Sequence, residues 1–146
     1  MKKIITLIVC GLSATAFAEQ LLVSVEEMNE SNNAKPPFTA KSVASKDAPL
    51  IELSAPKLSS AVSSPTPIEL KFQSTPPSTV KPETFKVLYG SFEIDITKRI
   101  LNVTKVTEAG VFVQEANLPK GNHKLLMVIE DTAGRKGSKA MDFQVQ

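Results

Sequence analysis

His123 is the only histidine in this 146-residue chain, Cys10 is the only cysteine, and tryptophan is absent. One imidazole and one thiol cannot assemble the His/Cys ligand sets that zinc takes within a single chain. A Ser-His-acid relay would have to run through His123, and no Gly-x-Ser-x-Gly elbow accompanies it. Adjacent carboxylates occur at Glu26/Glu27 and at Glu130/Asp131. The first pair lies in a polar stretch, and the second alternates in and out at a strand end. Neither offers two fixed carboxyls facing one cleft, which acid–base catalysis needs. Asp131, with Glu130, supplies at most two carboxylates for calcium, which takes about six to eight oxygens. An Asx-type turn, with Asp131 bonding the backbone two residues on, is the simpler reading. Met127 and Met141 stand in alternating apolar rows, where a thioether packs rather than holding copper(I). The sequence therefore assigns no catalytic, cofactor-binding or metal-ligating residue and no cofactor, and it predicts a protein that is not an enzyme.

The cations tell a similar story. Lys98, Arg99, Lys105, Lys120, Lys124, Arg135, Lys136 and Lys139 are interspersed with acids and lack interleaved aromatics. They read as a solvated sheet face, so no nucleic-acid partner is expected. Leu88, Leu126 and Phe112 fall on outward-facing positions, where they either form an apolar patch or pack beneath loops. The second is the commoner arrangement.

The elements that must carry these residues begin after a leader. Met1-Lys2-Lys3, the apolar run from Ile4 to Leu12, and the small-residue ending Ala16-Phe17-Ala18 have the three parts of a secretory signal. The apolar run is shorter than the roughly 20 residues of a spanning helix. Residues 1–18 are thus predicted to be a signal peptide cleaved after Ala18. Its removal takes away Lys2, Lys3 and Cys10, leaving 128 residues with 15 basic and 15 acidic side chains. The mature chain then has no thiol for a disulfide, no net charge and no membrane span, and its expected location is periplasmic or secreted.

Residues 19–48 contain Asn29, Asn32, Asn33, Pro36 and Pro37 and no sustained apolar period. Such a composition buries too little to offset chain entropy and predicts a flexible arm. Its one local signal is Ser24-Val25-Glu26-Glu27, a capping-box spacing that allows a helical turn at 25–29. From 49 to 146 the period is two. Ile51/Leu53, Ile68/Leu70/Phe72, Phe85/Val87/Tyr89, Phe92/Ile94/Ile96, Val111/Val113, His123/Leu125/Met127/Ile129 and Met141/Phe143/Val145 each alternate with other residues. Seven half-buried strands, with prolines and glycines between them, predict an all-β antiparallel sandwich. Gly134 and Gly137 are assigned to the last turn.

Leu118-Pro119-Lys120-Gly121-Asn122-His123-Lys124-Leu125, followed by Asp131-Thr132-Ala133-Gly134-Arg135-Lys136-Gly137, resembles bacterial immunoglobulin-like domains. In those, the penultimate strand begins at a Leu-Pro-x-Gly-x-Tyr/His step and ends in an Asp-x-Ala-Gly-x-x-Gly turn. Pro67-Ile68-Glu69-Leu70-Lys71-Phe72 looks like their second strand. The resemblance covers residues 49–146 and implies an immunoglobulin-like sandwich of about seven strands, with His123 in the place of the tyrosine-corner ring. The layout is also similar to periplasmic copper carriers, whose metal is held by several histidines. Here Glu19 and Gly134-Arg135 stand where that pattern has histidine. A complete sandwich pattern with no reactive constellation leads to the expectation of an exported bacterial non-catalytic module, binding or structural, that contacts a protein or glycan of the cell envelope, with residues 19–48 as tether or docking strand. The alternatives are a copper-carrier-like metal handler and, third, an enzyme with an unrecognised carboxylate site.

Overall fold

The alternating apolar rows become strands in the computed structural model, which describes residues 21–35 and 45–146. A helix α1 (Val25–Asn33) precedes β1 (Leu50–Ala55), β2 (Thr66–Gln73), β3 (Val80–Tyr89) and β4 (Ile94–Asp95). A short helix α2 (Thr97–Leu101) leads to β5 (Gly110–Ala116), β6 (Gly121–Asp131) and β7 (Lys136–Val145). A three-stranded sheet, ordered β1-β2-β5, faces a four-stranded sheet, ordered β4-β3-β6-β7, and every pairing between these strands is antiparallel. The chain is an all-β sandwich.

Along β6, His123, Leu125, Met127, Ile129 and Asp131 turn inward and are buried, while the residues between them face out. Leu125, Met127 and Ile129 share one core with Ile51, Leu70, Phe72, Val111 and Val113 from the other sheet. Phe72 and Phe85 touch across the layers with ring centroids 5.5 Å apart. Each such ring contributes roughly 1.5–3 kcal/mol on full burial. Pro82 is tolerated inside β3 because β3 breaks register with β6 between Lys81 and Lys86, where no ladder donor is required.

Two local expectations change. The alternation Phe92/Ile94/Ile96 yields a strand of only two residues. Gly90 to Glu93 close a turn, with Glu93 N–H donating to Gly90 O and Glu93 at φ 52°, which leaves Phe92 62% exposed. Ile96 then caps α2 instead of extending β4. Gly137 lies within β7 rather than in the final turn, which Gly134 makes at φ 79°. Gly137 is needed for a close approach, since a Cβ there would stand 1.8 Å from the Pro49 carbonyl oxygen.

The larger correction concerns residues 19–48, expected as a flexible arm. Within it, Leu22, Val23 and Met28 are buried in the core, and α1 runs to Asn33 rather than stopping at 29. Ala48 and Pro49 are buried as well. Residues 1–18, with the expected leader and its cleavage site, lie outside the described residues, as do 36–44 with Pro36 and Pro37. No helix among the described residues is long and apolar enough to cross a membrane.

Candidate functional site

His123 opens the inward row of β6 at 1% exposure. Its Nε2 is 2.8 Å from Pro119 O, four residues upstream. A carbonyl only accepts, so Nε2 carries the proton and Nδ1 is bare. The Tyr89 hydroxyl, 2.8 Å from Nδ1, therefore donates to it. Phe143 stacks on the imidazole, with centroids 5.4 Å apart and planes at 22°. Burial lowers the His123 pKa, partly opposed by the Pro119 carbonyl. Burial, with the nearby Glu27 charge, pushes Tyr89 up to about 12. Both ring nitrogens are thus engaged, and the group is a neutral bracket joining β3, β6 and the loop before β6. Metal ligation through either nitrogen would first break one of these bonds.

Asp131, at 0% exposure, ends the same row. Oδ1 accepts from Ala133 N–H at 3.0 Å and Arg135 N–H at 2.9 Å, and Oδ2 accepts from Arg135 Nε at 2.8 Å. Burial raises its pKa, but the Arg135 amide and guanidinium and the Ala133 amide outweigh that and leave it lowered. The Asx-type reading describes this geometry, and the carboxylate's acceptor sites are already occupied. Glu130 points out of the sheet toward Lys81, 3.8 Å away. The adjacent carboxylates are therefore on opposite faces. Arg135, grouped above with solvated cations, is instead the partner of a buried acid.

The third constellation escaped sequence reasoning. Ser24 Oγ accepts from Glu27 N–H at 3.1 Å while Glu27 Oε2 accepts from Ser24 N–H at 2.9 Å, a closed capping box. Glu27 also receives both guanidinium arms of Arg99, at 2.8 and 2.7 Å, and Arg99 donates to Leu22 O as well. The Arg99 hydrogen bonds, working against burial and aided by Ser24, hold Glu27 at about 2. The same bonds raise Arg99. Further along α1, Ser31 Oγ accepts from Ser91 N–H, Ser91 Oγ donates to Ser31 O, and Asn32 donates to Asn122 O. Met28 covers Gly121, whose missing Cβ would lie 2.5 Å from the thioether sulfur. Helix α1 is thereby strapped across the end of the sandwich formed by the β3–β4 and β5–β6 loops. The capping box was the one signal available in sequence; Arg99 lies 72 residues away and gives none.

Met127 and Met141 are buried among aliphatic residues. Among the described residues, no three of His, Cys, Asp and Glu cluster at metal-binding distances, and no buried side-chain nitrogen or oxygen lacks a partner. Between β3 and the stretch from α2 to Val106 lies a groove of about 560 Å³, lined in part by Pro82, Phe85, Lys86, Leu101, Lys105 and Val106. Beside it, β4 pairs with only Leu88 and Tyr89 of β3. No protein-family model matches the chain, and no curated protein matches it.

Proposed function

We propose that this chain is an exported, non-catalytic immunoglobulin-like module that acts by contact with a protein or glycan of the cell envelope, in the periplasm or outside the cell. The order β1-β2-β5 against β4-β3-β6-β7 supports the immunoglobulin-like reading, because it corresponds to strands A-B-E facing C′-C-F-G. His123 at the start of β6, bonded to a carbonyl four residues upstream, supports it as a tyrosine-corner equivalent.

The observation that carries the contact reading is the division of labour among polar groups. Buried ones are consumed in brackets and turns. Among the described residues, an apolar-floored groove stays open beside a largely unpaired stretch of β3, with Leu101 exposed on its wall. An exposed strand edge beside apolar side chains accepts an extended partner. A photo-crosslinker at Leu101 is expected to capture one defined envelope component. Unlabelled protein should compete for it, and the Leu101→Asp variant should not. Hydrolytic or redox turnover by the purified protein, abolished by His123→Phe in a folded variant, would reverse this reading.

A further inference from the structure

The outer face of the four-stranded sheet carries a pattern that no fold requirement explains. In its middle, Leu88 of β3, Leu126 of β6 and Ala140 of β7 form one row, with Val128 in the next. Leu88, Leu126 and Val128 are half-buried, and among the described residues α1 sits at the Gly121 end rather than over them. At one end of this apolar strip Lys124 stands opposite Asp142 in the register, and at the other Glu130 stands opposite Lys136, with its carboxylate toward Lys81 of β3 on the other side. The order of charges is reversed between the two ends: base on β6 and acid on β7 near the Gly121 end, acid on β6 and base on β7 near the last turn.

Such an arrangement is complementary to itself. Consider a two-fold axis lying in the plane of the face, across the strands, midway between the Leu126 and Val128 rows. A second copy brought down by that axis sets Lys124 over Glu130, Asp142 over Lys136, and Leu126 over Val128. Lys86 arrives above Leu88, where its stem packs, and Lys81 arrives above Gly90, so no two like charges are set directly one over the other. We propose that this face is a homodimer interface, its occupant a second copy of this chain, related by that axis. Isologous contacts of this kind are the commonest route to a closed dimer. With a rise of about 3.4 Å per residue and strands about 4.8 Å apart, the strip measures roughly 14 by 20 Å. That places it at the small, transient end of interface sizes, so the dimer is weak, reversible and sensitive to salt.

The charge pattern dictates its own test by sedimentation of the purified protein. Wild type dimerises, and raising the salt concentration weakens it. Lys124→Glu places four acids at the paired positions and Glu130→Lys places four bases, so each variant alone associates at least tenfold more weakly. An equimolar mixture of the two restores every pair and sediments as a heterodimer of wild-type strength, and the double variant K124E/E130K again dimerises with itself. Thermal melts verify folding, and Leu126→Asp probes the same surface if a reversed charge disturbs it. A wild type that stays monomeric at its highest soluble concentration overturns the proposal, and so does a face serving a different protein. Single variants that dimerise normally, or a mixture that fails to recover, do the same. None of these outcomes depends on the envelope contact at the β3 groove.

Discussion

Tyr89 donates to Nδ1 of His123 at 2.8 Å while Nε2 of the same ring donates to Pro119 O at 2.8 Å, so a single buried imidazole joins β3, β6 and the loop before it. The bracket works only with a neutral ring. As pH falls through the ordinary histidine value of about 6.5, the unfolded chain takes up a proton that the folded chain resists. Stability is therefore complete above that value and declines below it, by up to about 1.4 kcal/mol per pH unit. His123→Phe should remove this slope. At pH 8 it should cost about 1–3 kcal/mol, because the Tyr89 hydroxyl and the Pro119 carbonyl lose their partner. Urea melts across pH 5–8 measure both effects, and a slope that survives the substitution contradicts the assignment.

Acid acts separately on α1. Glu27 is held at about 2 against an ordinary 4.5, so its contribution is present above 4.5 and is lost as pH falls from there toward 2. Arg99 is 39% exposed on its side chain, and solvent discounts the pair. Glu27→Gln should thus cost about 1–2 kcal/mol at pH 7 and flatten the acid limb of the stability curve. Amide exchange should quicken from Met28 to Ser31 before the strands respond.

The helix cap is a smaller, independent lever. Ser24→Ala removes the acceptor for Glu27 N–H and should lower stability by about 1 kcal/mol. Ser24→Asp, which keeps an acceptor at the helix start, should recover most of that loss in the same denaturation experiment.

Two glycines near the last hairpin should respond differently to alanine. At Gly137 the added methyl meets the Pro49 carbonyl at 1.8 Å, so β1 and β7 must separate, at a cost of about 2 kcal/mol or more. At Gly134 nothing lies within 4 Å, and only the positive φ is penalised, about 1 kcal/mol. A larger loss at Gly134 than at Gly137 in thermal melts would contradict this account.

The sandwich was legible because alternation is a local property: Phe85, Val87 and Tyr89 announce their buried face whatever lies opposite them. Boundaries were less so. Ile96 continues a period-two row yet caps a helix, because Asp95 Oδ1 accepts from Thr97 N–H and turns the chain. The arm was misread for a different reason. Its helix carries only Met28 and Ser31 to the interior, and it is held by Arg99, Ser91 and Asn122, each at least 60 positions distant. No window of sequence shows such partners. His123 was readable as an inward residue from its row, but Tyr89 as its hydrogen-bond donor required knowing that β3 lies beside β6.

The strap imposes an order on biosynthesis. Leu22 emerges early but is bonded by Arg99, 77 residues later, and by Asn117 O, later still. Ribosomes add about 5–20 residues per second, so this greasy segment waits several seconds without its seat. During that interval Leu22, Val23 and Met28 are open to chaperones, and α1 is fastened only once the rest of the sandwich is there to receive it.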